Sequence, residues 1–218
     1  RDAELIHEVG KVISTELDIG ELLETLMDTV EKYFDYDRGM VLLADNEKIA
    51  LTYHAGYGYT TEQEAYFRKV DLHLDNRESK GPFVLAFRNQ KPYLVNDVDE
   101  IIEDLSERSR NLVEMAGARS FLCVPIVYEN ESMGVISLDN TESSGPPKQS
   151  DLNLLMGIAP QIAISIMNAR SFERLQASEE KYRDLVESAN SIIMRLDTQG
   201  RISFVNTYAI EFYGYEEH

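Results

Sequence analysis

Apolar residues recur at helical spacing twice near the start of the chain. Leu5, Ile6, Val9, Val12 and Ile13 form one set, and Leu22, Leu23, Leu26, Met27, Val30, Tyr33 and Phe34 form the next. Two amphipathic helices are predicted. The period then changes. Gly39 to Ala44 is an unbroken apolar run that predicts a buried strand, and Asp45-Asn46-Glu47 supplies turn residues. From Lys48 to Ala55 alternation predicts a returning strand, with Ile49, Leu51 and Tyr53 on one face and Ala50, Thr52 and His54 on the other. A short helix is expected over 61–68 and an extended piece over 70–74. Gly81-Pro82 opens another helix, because proline suits the first helical position. Tyr93-Leu94-Val95 reads as a brief strand, and Asp97 to Glu100 as the capping box of an acidic helix.

The clearest strand pair comes next. Ser120 to Tyr128 reaches a turn at Glu129-Asn130-Glu131, and Met133 to Asp139 returns. Pro125 lacks a ladder donor and so predicts an edge or a bulge. Ser150 caps a long helix with Leu155, Ile158, Ile162, Ile166, Ala169 and Phe172 along one stripe. It is expected to run to about Leu175, with a second helical piece over 179–187. The stripe is longer than one sheet face requires, which predicts parallel homodimer packing through the N- and C-terminal helices. Ile192 to Leu196 and Ile202 to Val205 then flank the turn residues Asp197 to Gly200 as a hairpin. Asn206 suits an N-cap, Tyr208, Phe212 and Tyr213 share a helical face, and Gly214 suits the stop. A lone hairpin and one short helix bury no core of their own. This segment is therefore expected to open a second domain within a longer chain.

Two resemblances follow from these residues. Leu185-Val-Glu187, Ile192, Leu196-Asp197, Gly200-Arg-Ile202, Phe204-Val-Asn206 and Gly214-Tyr215 stand at the spacing of the N-terminal part of a PAS domain. Residues 1 to about 172 resemble a GAF domain. The carrying residues are Tyr33-Phe34, Gly39–Ala44, Pro92 to Asp97, Arg119 to Ile126, Gly134 to Leu138, and Leu152 with Ile158 to Ala163. The resemblance implies an α+β fold with a central antiparallel sheet of five or six strands. Terminal helices would cover one face, and short helices and loops would roof a ligand pocket on the other. The expected division is a sensory domain over 1–172, a helical linker over 173–187 and an incomplete PAS-like piece over 188–218.

Composition narrows the function. A formal charge of −18 repels nucleic acid and anionic membrane surfaces. No apolar run approaches the roughly 20 residues of a membrane span, so no membrane contact is expected here. The single cysteine, Cys123, forms no disulfide within the chain and suits a reducing, cytoplasmic setting.

No catalytic constellation is apparent. His7, His54, His73 and His218 are scattered without metal-ligand spacing. Gly56-Tyr-Gly-Tyr-Thr-Thr61 starts like a dinucleotide loop but has Thr61 where the third glycine belongs. Cys123 sits between Leu122 and Val124 in an apolar strand, which predicts a structural thiol. The GAF branches that carry a bilin on a Cys-His pair, or that reduce methionine sulfoxide with several cysteines, therefore fit poorly. So does the cyclic-nucleotide branch, whose N-K-F-D-E set is missing. Haem on His54 or His73 is a weaker expectation than a noncovalent ligand whose identity stays open.

The resemblance places His54, His73, Tyr93, Asp97, Arg119 and Ser120 at strand ends beneath the roof. Arg119 would pair an anionic group there, or else Asp97, and His73 or Tyr93 would donate a hydrogen bond. The expected role is a sensory module of a signalling protein of the histidine kinase or diguanylate cyclase type, followed by an effector domain. The alternatives are a ligand-free dimerisation spacer and the input domain of a transcription activator.

Overall fold

The computed structural model describes residues 10, 18–76, 79–141 and 145–214. The first predicted helix, over 5–13, lies outside the described residues. The chain divides into two compact units, Arg1–Ala169 and Arg170–His218.

The first unit opens with α1, Ile19–Tyr33, whose N-cap Asp18 accepts a hydrogen bond from the Glu21 amide at 3.0 Å. Six strands follow: β1 (Arg38–Ala44), β2 (Ala50–Tyr57), β3 (Leu72–His73), β4 (Tyr93–Val95), β5 (Ser120–Tyr128) and β6 (Glu131–Asn140). They form one antiparallel sheet in the order β3-β2-β1-β6-β5-β4. Between them stand α2 (Thr61–Phe67), α3 (Pro82–Asn89) and α4 (Glu107–Ala116), and α5 (Gln149–Glu187) follows the sheet. All seven residues of β1 are buried because both faces of the sheet are covered. Val41 and Leu43 point into one core with Leu22, Leu26, Met27 and Val30 of α1 and Leu155, Ile158, Ile162 and Ile166 of α5. Met40, Leu42 and Ala44 point into the other, with Phe67 of α2, Val84 and Phe87 of α3, and Leu112 and Val113 of α4.

Local chemistry explains most boundaries. Thr60 and Gln63 make a reciprocal capping box on α2. Gly81 and Pro82 start α3 as expected. Glu129 and Asn130 both take positive φ, the two-residue turn that matches the twist of a hairpin. Pro125 sits beyond Cys123, the last β5 residue that β4 pairs, and just before a register shift at Ile126/Val127.

Four expectations are corrected. The alternation from Lys48 to Ala55 breaks, because Val41 pairs with Ala55 and Leu42 with Tyr53, leaving His54 as an extra residue. Leu51 and Tyr53 share the roof-side core as the alternation predicts, while the bulge turns Ala55 and Tyr57 into the core under α1. The acidic helix at Asp97 is instead two single 3₁₀ turns, Val98–Glu100 and Ile102–Asp104. Asp97 accepts from the Asp99 amide at 3.0 Å, a tight turn rather than a capping box, and α4 starts only after Ser106 caps it. The long helix and the expected piece over 179–187 are one helix, since no glycine or proline lies between them to stop it. Finally, Leu155, Ile158, Ile162, Ile166 and Ala169 are all buried against their own sheet, and of the stripe Phe172 alone is exposed. Most of the stripe is therefore not surplus.

An 18-residue stretch of α5 is apolar enough by composition to cross a membrane, but 50% of it is buried.

The second unit holds a two-stranded sheet, β7 (Met194–Leu196) with β8 (Ile202–Val205), and α6 (Thr207–Tyr213). Its hub is Asn206, which is fully buried. Its side-chain amide donates to the carbonyls of Val186, Ala189 and Ser191, and its oxygen accepts from the amides of Ile193 and Ala209. Glu187 Oε2 accepts from the Thr207 amide at 2.8 Å and its hydroxyl at 2.7 Å. Met194, Leu196, Ile202 and Phe212 remain exposed.

Candidate functional site

The six residues expected to share a pocket fall in separate places. His73 lies on edge strand β3, with Nδ1 3.4 Å from Asp75 Oδ1. Tyr93 lies on β4 at the opposite edge, where its hydroxyl accepts from Asn89 at 3.4 Å. His54 Nε2 sits 3.4 Å from Thr52 Oγ1. Thr52 alternates with Leu51 and Tyr53, which face the roof, so His54 accompanies a residue on the other face. Asp97, Arg119 and Ser120 do gather near the β4–β5 end, where the Val98 amide donates to the Arg119 carbonyl at 2.8 Å. Arg119 pairs with Asp99 at 3.1 Å, not with Asp97. Ser120 is buried opposite Asn140.

Among the described residues, the larger clefts open beside the two ends of α4. The enclosed apolar space among Phe83, Val84, Leu105, Leu112 and Phe121 measures about 10 Å³. Phe83 and Phe121 meet edge to face across it, ring centres 5.8 Å apart. A cleft of about 470 Å³ opens between β3 and the start of α4, lined by His73, Asp75, Asn76, Ser79, Ser106, Arg108 and their neighbours. Arg108 leans across to the Asp71 carbonyl at 3.1 Å. Another cleft of about 560 Å³ lies at the end of α4, beside Asp99, Glu114, Arg119 and Thr141. Among the described residues no group of three His, Cys, Asp or Glu side chains could hold a metal. Cys123 is fully buried and burial pushes its thiol upward, so it is a poor nucleophile.

One polar cluster escaped sequence reasoning. Arg38 on β1 stands opposite Asp139 on β6, and both are buried. Arg38 Nε donates to Asp139 Oδ1 at 2.8 Å, and another guanidinium nitrogen caps the Ala116 carbonyl at the end of α4. The Tyr59 hydroxyl donates to Asp139 Oδ2 at 2.6 Å, with the Arg38 guanidinium over its ring. Burial pushes the Asp139 carboxyl up, while Arg38 and Tyr59 oppose the shift. Next to it, Asp37 Oδ2 accepts from the Thr141 amide and hydroxyl, both at 2.7 Å. Asn140 Oδ1 accepts from the Asp37 amide at 3.1 Å, and its amide donates to the Gly145 carbonyl at 2.7 Å. The cluster thus fastens the roof helix α4 to the two central strands. The signal was available: a charged residue stands at the end of each of two apolar strands. Of the glycines in Gly56-Tyr-Gly58, Gly58 serves the same contact. A Cβ on Gly58, at φ +77°, would lie 2.2 Å from the Asp37 carbonyl oxygen.

A GAF domain model matches residues 18–166 and a PAS domain model matches residues 180–218. The chain belongs to the GAF domain family, and its C-terminal segment continues into the start of a PAS domain. Among curated proteins it is similar to the nitrogen fixation protein AnfA of Azotobacter vinelandii, 21% identical over 82% of this chain and 32% of that protein. It is also similar to the formate hydrogenlyase transcriptional activator FhlA of Escherichia coli, 23% identical over 86% of this chain and 27% of that protein. The chain thus spans about a third or less of these relatives. Its fold is that of the GAF domain from an Acinetobacter phosphoenolpyruvate-protein phosphotransferase, with a TM-score of 0.62 at 18% identity, covering 79% of this chain and 97% of that one. Free methionine-R-sulfoxide reductase from Neisseria meningitidis, solved with its substrate, shares the fold at a TM-score of 0.61 and 18% identity, over 78% of this chain and 90% of that one.

Proposed function

We propose that this chain is the sensory input region of a larger regulator, binding a small organic acid in the cleft between β3 and α4. The cleft itself carries the reading. At about 470 Å³ it has the size of a small-molecule site. Arg108 supplies positive charge for a carboxylate, His73, Ser79, Ser106 and Asn76 supply hydrogen bonds, and Asp75 and Glu107 line the same cleft. Occupancy would favour one arrangement of α4 against the sheet, and α5 would carry that bias onward. The Neisseria reductase, described with its substrate, supports small-molecule binding by this fold. The region itself performs no chemistry in this reading.

The effector domain lies elsewhere in the parent chain. FhlA favours a transcription activator as the output over a histidine kinase or diguanylate cyclase. A hybrid histidine kinase from Dictyostelium discoideum is similar over only 39% of this chain. The region works in the cytoplasm, contacts neither nucleic acid nor membrane, and pairs with a second copy through its terminal helices.

Native mass spectrometry of the purified chain, before and after exposure to a panel of small organic acids, tests the binding. A retained mass that competes with the panel supports it. The second reading, a ligand-free spacer, is favoured by the filled space beneath the roof. It stands if no panel member is retained.

A further inference from the structure

The cleft between β3 and α4 carries charges of both signs that the fold leaves uncompensated. Among the described residues that line it, Arg108 is the one Lys or Arg side chain. Its Nη1 donates to a backbone carbonyl, that of Asp71, and the other guanidinium donors stay available. Among the described residues no ion pair involves Arg108 or Glu107, and the one ionic contact of Asp75 is with His73 at 3.4 Å. One guanidinium and two carboxylates thus border the same space.

Both rims are held in place by the fold. On one side Arg88 of α3 donates to the carbonyls of Leu74, at 2.7 Å, and of Asn76, which fixes the stretch that carries Asp75. On the other, the Ser106 hydroxyl donates to Ser109 Oγ at 3.0 Å and accepts from the Ser109 amide at 3.3 Å. That closes the turn of α4 that presents Glu107 and Arg108. Leu72 and Val84, both buried, give the cleft an apolar floor. A site whose rims are already ordered spends little of its binding energy on ordering them.

We propose that this cleft takes a free amino acid. The inference rests on the cleft being the binding site of the proposed function, and it narrows the small organic acid to a zwitterion. The carboxylate lies against Arg108, the ammonium against Asp75 and Glu107, and a short side chain on Leu72 and Val84. A carboxylate without an amine meets two like charges beside its one guanidinium, which offsets much of that attraction. An ammonium on the same skeleton turns both repulsions into charge-assisted hydrogen bonds. A dicarboxylate needs a second base, and the next one, Lys69, lines a separate cleft of about 420 Å³. Net charge acts in the same direction. A chain of charge −18 repels an approaching anion at long range but not a zwitterion, whose net charge is zero.

Calorimetric titration and thermal shift of the full chain with matched ligands test the assignment: alanine against lactate, aspartate against malate and succinate, and glutamate against glutarate. At least one amino acid should bind about fivefold or more tighter than its amine-free partner. Asp75→Asn combined with Glu107→Gln should remove that margin. Both side chains are exposed, so this variant should melt like the wild type without ligand. Arg108→Ala should weaken both members of each pair. An amine-free acid that binds as tightly as its amino acid, or a margin that survives the double substitution, overturns the zwitterion and leaves the acid site standing. No binding by any amino acid or acid overturns both.

Discussion

Arg38 and Asp139 face each other across β1 and β6, both buried, and Arg38 also holds the last carbonyl of α4. A charge pair taken out of water depends on both partners staying in place, because either one alone is left uncompensated. Arg38→Met should therefore destabilise the fold by about 3–5 kcal/mol in urea unfolding. Arg38→Met with Asp139→Leu should recover much of that loss. A cost below about 1 kcal/mol for the single variant would mean that the pair does not fasten the roof.

Gly58 makes the neighbouring backbone contact possible. Its φ of +77° and the 2.2 Å approach of a Cβ to the Asp37 carbonyl leave no room for a side chain. Gly58→Ala should lose about 2 kcal/mol or more. Gly117→Ala shares the positive φ but meets nothing within 4 Å, so its loss should be smaller. Equal losses at the two sites would remove the steric argument.

Asn206 makes five hydrogen bonds that join the end of α5, the β7–β8 hairpin and α6. Asn206→Ala removes a helix cap and strands three carbonyls, at a local cost of about 2–4 kcal/mol. Hydrogen exchange should speed up at the Ile193 and Ala209 amides while the six-stranded sheet keeps its protection. Unchanged exchange at those two amides would show that the hub is redundant.

Buried phenols set the alkaline limit. Burial is the main cause pushing Tyr36 and Tyr53 up to about 12, and it also drives Tyr57 and Tyr59 upward. Each folded value lies above the ordinary 10.0, so the unfolded chain releases these protons first. The stability they contribute is whole below pH 10 and is lost as pH rises from 10 towards 12. Absorbance at 295 nm should show these four phenols ionising only above pH 10, together with unfolding. A single transition near 10 would contradict that burial.

The sheet was legible because apolar runs and turn residues mark strands directly. Gly39–Ala44, Ser120–Tyr128 and the Asn206–Gly214 helix lie where their patterns predict. His54 was expected beneath the roof, but it lies on the face opposite Leu51 and Tyr53, because a strand's alternation does not reveal which of its faces the roof covers. The stripe on α5 was assigned to a partner because a sequence does not reveal how much of a helix its own sheet covers. Asp139 lies 101 residues from Arg38 and 80 from Tyr59, and only strand order brings them together. The cleft escaped for a similar reason: β3 and the start of α4 meet only in the fold.

Thermal shift with small carboxylates is the most direct test of the central claim, that the cleft between β3 and α4 is a binding site. The wild-type chain, His73→Ala and Arg108→Ala would be titrated with the same acids. The account predicts that at least one acid raises the wild-type Tm in a saturable way, and that either substitution reduces the shift by half or more at equal concentration. No saturable shift from any acid, or an equal shift in all three proteins, would contradict it.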